Sequence, residues 1–295
     1  MRAADPTFAG STSGSLDEAD IVVWGAPTDA GAGTHRTGAA GGPAAIRAAS
    51  NIWHSVRTSA GYSLGEHGRI LDLGDVELDG LPVEEAHARI RAEAPELVEN
   101  RLSVALGGDH SITFPILQKS NAPCALIMMD AHPDCLDRCN GSRLSHACTL
   151  QRLVESKGID PQRTVVFGLR LPEAEEAAFL ERQGIRALTS RAILEMGIGP
   201  ACEQALELAG GEKPYLSIDM DVLDASCAPG VENPEPGGIS SADLLYACDF
   251  FGAHICACDL TEVTDQHDPA GITAKTAARA LLDLMGAHVR ESAKG

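Results

Sequence analysis

Short runs of aliphatic and β-branched residues recur along the chain and alternate with longer stretches that carry helical periodicity. Within these runs, apolar residues occupy consecutive positions, which is typical of strands covered on both faces. The runs that we interpret as strands span residues 20–27, 69–76, 101–109, 122–132, 163–170, 214–224 and 254–263. This pattern predicts a sheet that is buried on both sides.

The stretches between the strands place apolar residues three or four positions apart and end in Gly or Asn, as helices do. We predict helices at residues 42–50, 82–100, 147–158, 173–184, 199–211 and 240–252. Alternation of strand and helix favours a parallel sheet with helices on both faces. The predicted fold class is therefore α/β, a three-layer α/β/α sandwich with a mostly parallel central sheet of about eight strands.

The chain of 295 residues contains no internal repeat, low-complexity tract or linker that would divide it. Its length suits one large α/β layer structure. We therefore predict a single domain over residues 17–295. Residues 1–16 are rich in Gly, Ser and Thr and lack periodicity, so we predict that they form a flexible N-terminal arm.

The chain is strongly acidic, with 42 Asp and Glu against 23 Lys and Arg and a formal net charge of −19. A nucleic-acid partner is not expected, because such proteins need basic surfaces. A negative field would favour a small cationic substrate, but solubility or a salt-rich cytoplasm is the more ordinary reason for the acid excess. Only acids that cluster at one place would favour the cationic substrate over these reasons.

No window of the sequence approaches the roughly 18 apolar residues of a membrane span, and the N-terminus lacks the apolar core of a signal peptide. We therefore expect a cytoplasmic protein without a membrane partner. The nine Cys form no CxxC pair, so reduced thiols are expected rather than a disulfide framework.

Polar side chains follow three of the predicted strands, at the edge where open α/β sheets bind their ligands. They are His110 after the third strand, Asp130, His132 and Asp134 at the end of the fourth, and Asp219 and Asp221 in the sixth. Side chains two positions apart in a strand share a face, so each DxD-like pair points at one place. Asp134 would lie about 13 Å from Asp130 in an extended chain, so the chain must curl after His132 if Asp134 is to join them.

Four carboxylates that lie close together disfavour one another's charged forms, and divalent cations are the natural compensation. Carboxylate and imidazole ligands suit Mn²⁺ and also admit Fe, Co, Ni or Zn. Six such ligands are too many for one tetrahedral zinc ion and suit two ions about 3.5–4 Å apart. A lone DxD pair at a strand end is often a helix cap, but two pairs and GGDH together favour a binuclear site.

Three motifs resemble those of the ureohydrolases, the arginase and agmatinase family. They are GGDHS at 107–111, DAHPD at 130–134 and SIDMDVLDASCAPGVENPEPGG at 217–238, with weaker similarity at 25–47, 166–170 and 259–281. The resemblance covers nearly the whole chain. It implies an arginase-like parallel sheet, a binuclear manganese centre and hydrolysis of a guanidino group to urea and an amine.

Carried over position by position, the resemblance implies two sets of metal ligands. One ion would be held by His110, Asp130, Asp134 and Asp219, and the other by Asp130, His132, Asp219 and Asp221. The expected cofactor is therefore two Mn²⁺, with Ni²⁺, Co²⁺ or Fe²⁺ as alternatives. The nucleophile would be a metal-bridging hydroxide, since metal binding lowers the pKa of water toward about 7, and Asp134 would orient it.

Two further residues match functional positions of the family. Glu262, in DLTEV, matches the carboxylate that pairs with the guanidinium group, whose planar fork suits two parallel hydrogen bonds. His146, in LSHACT, matches the histidine proposed as a proton shuttle to the leaving amine. Together with Asp134 they form the expected catalytic set, and both are also expected to contact the substrate.

The sequence does not decide the chemistry of the substrate tail, the end of the molecule away from the guanidino group. Glu232 stands where the family often has a small residue. Both Glu232 and Asp265 could pair with the far ammonium group of a diamine-like substrate. The alternative for both residues is an exposed position on the surface. Arg143, in the loop 135–146, would instead favour a carboxylate tail, and Asn140 of the same loop could also meet the tail. His35, in a Gly-rich loop, is more readily interpreted as a surface histidine than as a substrate contact.

We interpret the chain as an agmatinase-like, metal-dependent hydrolase of small linear guanidino compounds. Agmatine is the first expected substrate, followed by guanidinobutyrate, guanidinopropionate and guanidine; arginine fits less well because the loop before His146 lacks a run of Thr, Ser and Asn. The alternatives are a formimino substrate, which would release formamide, and a catalytically silent metal-binding regulatory subunit. The resemblance also implies a homo-oligomer, a trimer or a hexamer.

Overall fold

Eight parallel strands form the central sheet in the computed structural model, which describes residues 1–8, 11, 14–33, 36–53, 58–64, 68–98, 101–119, 122–170, 172–210 and 213–293. In chain order, β1 to β8 are Ile21–Ala26, Ile70–Asp75, Leu102–Gly107, Cys124–Met129, Ile159–Leu169, Arg186–Thr189, Tyr215–Asp219 and Ala257–Thr261. Their order across the sheet is β2-β1-β3-β8-β7-β4-β5-β6. The predicted parallel α/β sheet is confirmed.

The helices of the described residues pack on both faces of this sheet. We number them α1 to α9, at Gly42–Ser50, Val83–Glu93, Thr113–Gln118, Thr149–Ser156, Ala174–Gln183, Ser190–Met196, Ile198–Leu208, Ser241–Gly252 and Ile272–Ser292. Successive residues of β1 belong to different cores: Ile21 and Val23 pack with α1 and α6 to α9, whereas Val22 and Trp24 pack with α2 to α5. This alternation gives the three predicted layers.

Several elements differ from the sequence prediction. The strand β6 was missed because it has only four residues and alternates buried and exposed positions weakly. The helices α6 and α9, of 7 and 21 residues, were also missed. The helix predicted over 82–100 ends at Glu93, because Ala94 precedes Pro95 and a residue before proline disfavours the helical conformation.

The beginning of the predicted N-terminal arm contacts β2, the strand at one edge of the sheet. Arg2 exchanges two backbone hydrogen bonds with Asp75, at 2.7 and 2.8 Å. Phe8 is fully buried, and its backbone N–H donates to Asp72 Oδ2 at 2.7 Å. Residues 9–10 and 12–13 of the arm lie outside the described residues, and its flexibility stays a prediction. These contacts cover an edge that would otherwise expose unpaired backbone groups.

The carboxyl ends of four neighbouring strands, β3, β8, β7 and β4, meet in the middle of the sheet. His110 follows β3, Glu262 follows β8, Asp219 ends β7 and Asp130 follows β4. The sheet order thus brings together residues that lie far apart in sequence. In the described part of the chain, no helix has the length and apolar character needed to cross a bilayer.

Candidate active site

The imidazole of His110 lies at the centre of a buried group of carboxylates. Its Nδ1 is 3.0 Å from Asp130 Oδ2, 3.2 Å from Asp134 Oδ2 and 3.2 Å from Asp219 Oδ2. His110 itself is fully buried. The structure therefore brings four of the residues singled out in the sequence to one point.

His132 lies in a second group beside the first. Its Nδ1 is 2.9 Å from Asp221 Oδ2 and 3.7 Å from Asp130 Oδ1. Backbone hydrogen bonds orient these carboxylates: Asp130 Oδ1 accepts from the His132 N–H at 2.6 Å, and Asp219 Oδ1 accepts from the Asp221 N–H at 2.8 Å. Asp130 therefore faces both histidines, one through each oxygen.

Asp134 reaches the cluster through a sharp turn of the backbone after Pro133. Its φ is 49°, a left-handed conformation that residues other than Gly rarely adopt. The turn returns the carboxylate to within 3.2 Å of His110 Nδ1. A chain that continued in the extended direction of β4 would have carried it away.

Burial and mutual repulsion shift the pKa values of the clustered acids. Burial, followed by the charges of Asp219, Asp134 and Asp221, raises the pKa of Asp130 well above its usual range. Burial and the charge of Asp221 raise the pKa of Asp219 to about 7. For Asp221, burial is the largest single effect, but the charge and hydrogen bond of His132 and the hydrogen bond from the Ala131 N–H together outweigh it and lower the pKa to about 2. The cluster thus holds more negative charge than its two histidines compensate.

The donor set fits two divalent cations. Two triads, His110–Asp130–Asp134 and Asp130–His132–Asp221, each offer three ligand atoms within 4.8 Å of one another, and Asp130 belongs to both. His110 Nδ1 and Asp130 Oδ2 are buried and make no hydrogen bond within the described residues, although they face each other. Buried ligand atoms that lack hydrogen bonds are what a metal site requires.

A separate group, formed by His146, Glu262 and Glu232, adjoins the cluster of aspartates. His146 Nδ1 is 3.0 Å from Glu262 Oε1 and 3.5 Å from Glu232 Oε2, and all three residues are buried. Glu262 Oε1 also accepts a hydrogen bond from the His110 backbone N–H at 2.8 Å, which ties this group to the first. Burial, only partly offset by the hydrogen bond from His146, raises the pKa of Glu262 to about 8.

The loop around residue 33 supports His146 from the other side. The Gly33 N–H donates to His146 Nε2 at 3.1 Å, which leaves Nδ1 as the ring nitrogen that faces Glu262. A Cβ atom at Gly33 would lie 2.7 Å from Nε2, so only glycine fits there. Asn140 donates to the Gly33 carbonyl at 2.6 Å and so holds two loops together.

The remaining residues proposed for the substrate tail are scattered. Glu232 is 2% exposed and lies beside His146, whereas Asp265 is exposed. Arg143 points away from the cluster: it is exposed, and its guanidinium group contacts both oxygens of Glu155 at 2.9 Å. His35 lies outside the described residues. The structure therefore groups Glu232 with the catalytic candidates and does not group Arg143 with them.

A cleft of about 300 Å³ opens onto the aspartate cluster and onto the group around His146. Its lining side chains are His132, Asp134, Leu136, His146, Ala147, Glu173, Glu176, Asp219, Asp221, Asn233, Glu235 and Glu262. Sequence reasoning missed three of its acids, Glu173, Glu176 and Glu235. Of these, only Glu235 had a signal, since it lies inside the long motif at 217–238.

A buried hydrogen-bond network behind the cluster was also missed. His110 Nε2 lies 2.8 Å from Ser217 Oγ, which donates to Asp259 Oδ1 at 2.6 Å. Asp259 Oδ2 accepts from Thr113 and Tyr215, each at 2.8 Å. Networks of this kind orient a metal-binding histidine, so His110 is held with Nδ1 toward the carboxylates.

Known proteins match the chain over almost its whole length. The family model described as Arginase family matches residues 19–286. The chain is 32% identical to guanidinobutyrase of Pseudomonas aeruginosa over 92% of its own length and 86% of that protein. It is 32% identical to agmatinase of Neisseria meningitidis over 90% of its own length and 86% of that protein. A crystal structure of a hypothetical agmatinase from Burkholderia thailandensis has a TM-score of 0.85 at 31% identity, covering 96% of this chain and 90% of that one. On this evidence the chain belongs to the arginase family.

Proposed function

We propose that the protein hydrolyses a small linear guanidino compound, agmatine first among them, to urea and an amine, with two Mn²⁺ as cofactor. The observation that carries this proposal is the position of Glu262: it is 2% exposed, it lines the cleft beside the candidate metal ligands, and its Oε2 makes no hydrogen bond within the described residues. A carboxylate oxygen in that position is suited to accept from a planar cation.

His110, Asp130, Asp134 and Asp219 would hold one ion. Asp130, His132, Asp219 and Asp221 would hold the other, so Asp130 and Asp219 would be shared. Two divalent cations supply an activated water at neutral pH, because they lower its pKa from 15.7 toward about 7. Asp134, which faces the cleft, is placed to orient that water by a hydrogen bond.

Glu262 and His146 act on the substrate itself. Glu262 Oε2 accepts from the guanidinium N–H groups and fixes the reacting carbon against the metal ligands. The amine that leaves needs a proton, and His146 Nδ1, which lies 3.0 Å from Glu262 Oε1, is the nearest donor. The Gly33 N–H donates to His146 Nε2, so the ring proton lies on Nδ1, the nitrogen that faces Glu262.

The charge of the cleft favours agmatine over a guanidino acid. Seven of the lining residues named above are Asp or Glu, and none of the lining residues is Lys or Arg. A carboxylate tail would find no Lys or Arg among these lining residues, whereas an ammonium tail would find several carboxylates. Relatives named for agmatine and for guanidinobutyrate match the chain about equally well, so the argument for agmatine rests on the cleft.

Urea release measured across a panel of guanidino compounds tests the proposal. The purified protein, loaded in turn with Mn²⁺, Ni²⁺ and Co²⁺, is expected to release urea from agmatine with the highest kcat/KM in Mn²⁺. Release of formamide from a formimino compound, without urea from any guanidine, would replace this function by the formimino alternative. No product from any compound would favour the silent regulatory subunit.

The pH dependence of kcat/KM follows from the raised pKa of Glu262. Below that pKa the carboxyl group is protonated and neutral, so it attracts the guanidinium group weakly; above it, the charged form binds. The guanidinium group itself stays protonated throughout. We expect kcat/KM for agmatine to rise with pH and to level off at or below about pH 8, because bound divalent cations would lower the pKa of Glu262 from this value. Rates measured between about pH 6 and pH 9 on metal-loaded protein check this, and a flat profile would contradict it.

A further inference from the structure

We propose that Glu235 recognises a second cationic group on the substrate, and that the same carboxylate orients His132. This inference rests on the proposed function and deepens it, because it names the substrate class as guanidino compounds that carry an ammonium group. Glu235 would then be the residue that separates such dications from guanidino acids of similar length.

The two oxygens of Glu235 have different surroundings. Oε1 lies 3.3 Å from His132 Nε2, on the side of the ring opposite to the candidate metal ligands. Oε2 is buried and makes no hydrogen bond in the part of the chain that the structure describes. The side chain lines the cleft and is 26% exposed, so a molecule in the cleft reaches it. Oε1 thus contacts His132, Oε2 makes no hydrogen bond within the described residues, and an ammonium group in the cleft would approach the exposed part of this carboxylate side chain.

The backbone around Glu235 is held firmly. Its carbonyl accepts from the Ala225 N–H at 3.1 Å and from Arg170 Nη2 at 3.5 Å. Pro234 and Pro236 flank it, and proline restricts the backbone of its own residue and of the one before it. The carboxylate is therefore positioned in advance, which lowers the entropy cost of binding a cation.

A charge count of the lining residues leaves an excess of negative charge in the cleft. Two divalent cations would balance the four candidate aspartate ligands, and the guanidinium group would balance Glu262. The acids left over among the lining residues are Glu173, Glu176 and Glu235. An ammonium tail supplies a positive charge there, whereas a carboxylate tail would add to the excess.

Of these three acids, Glu235 is the best placed. Glu176 is 6% exposed, and its Oε2 already accepts from the Glu173 N–H at 3.0 Å at the start of α5. Glu173 is exposed at the outer end of the cleft, where water weakens an ion pair. Glu235 alone combines a fixed backbone, a contact with a candidate metal ligand and a buried oxygen that makes no hydrogen bond within the described residues.

Two substitutions separate the two roles. Glu235→Gln keeps an oxygen that can accept from His132 Nε2 but removes the charge. On the manganese-loaded protein it is expected to raise KM for agmatine by about 10- to 100-fold, and to change KM for pentylguanidine, whose tail is neutral and of similar length, by less than about threefold. Glu235→Ala also removes the acceptor and is expected to weaken binding of one of the two metal ions by about 10- to 100-fold in a chelator competition.

The control is Glu175→Gln, which makes the same charge change at an exposed residue of α5 that does not line the cleft; KM for agmatine should be that of the wild type. Equal effects of Glu235→Gln on agmatine and pentylguanidine, or no effect on either, would overturn the inference. A wild-type protein that releases no urea from either compound would instead reject the proposed function.

Discussion

Replacing Asp130 with asparagine is expected to abolish binding of both metal ions at micromolar concentrations and to reduce kcat/KM for agmatine by at least about 10³-fold. The two oxygens of Asp130 face different histidines, His110 at 3.0 Å and His132 at 3.7 Å. Asparagine keeps the shape of the side chain but removes the negative charge that both ions would share. Asp130 belongs to both of the triads in the aspartate cluster, His110–Asp130–Asp134 and Asp130–His132–Asp221.

Metal content is measured by elemental analysis after dialysis, and folding by circular dichroism. The matched control is Asp283→Asn, the same substitution at a fully buried aspartate of α9 whose oxygens accept from Ser59 and not from the candidate site. That variant should retain two ions per chain. An Asp130→Asn protein that still bound two ions would show that the shared ligand has been assigned wrongly.

Replacing Glu262 with glutamine is expected to lower kcat/KM for agmatine by about 10²- to 10³-fold, mostly through KM, while both metal ions stay bound. The amide oxygen of glutamine can still accept from the His110 N–H and from His146, as Glu262 Oε1 does now. The charge is lost, and the amide NH₂ of glutamine takes the place of Oε2. This NH₂ group is a donor and faces the guanidinium group, which also has only donors. The effect therefore falls on substrate binding.

Steady-state kinetics and metal analysis on the same preparation test this expectation. Glu176→Gln is the matched control, because Glu176 is likewise buried and lines the cleft but makes no contact with His146 or His110 in the described structure. It should change kcat/KM by no more than about threefold. Kinetics for Glu262→Gln like those of the wild type would remove Glu262 from the substrate-binding role.

The central part of the site was accessible from the sequence because it depends on short-range geometry. Asp130 follows β4 and Asp219 ends β7, and His132 and Asp221 come two residues later in turns whose backbone N–H groups donate to the Asp130 and Asp219 side chains, so each pair is held together by short-range contacts. The order of the strands then decides which ends meet, and alternation of strand and helix constrains that order. The need for a turn before Asp134 also followed from distance along the chain.

The walls of the cleft could not be predicted in the same way. Whether Arg143 turns toward the cleft or toward Glu155 depends on where α4 lies, and no local pattern records that. Glu173 and Glu176 begin a helix and carry the spacing of an ordinary capping box. Their place beside the candidate metal ligands arises only when α5 packs on the sheet. Substrate selectivity therefore depends on the long-range part of the fold.

Asp134 and Glu262 both hold left-handed backbone conformations, with φ of 49° and 66°. Such conformations cost of order 1 kcal/mol or more for residues with a side chain, and glycine adopts them freely. A directed-evolution screen that scores thermal stability alone should therefore enrich glycine at these two positions and yield enzymes that are more stable to heat but inactive. Thermostabilisation of this protein has to leave both residues untouched and seek its gains elsewhere.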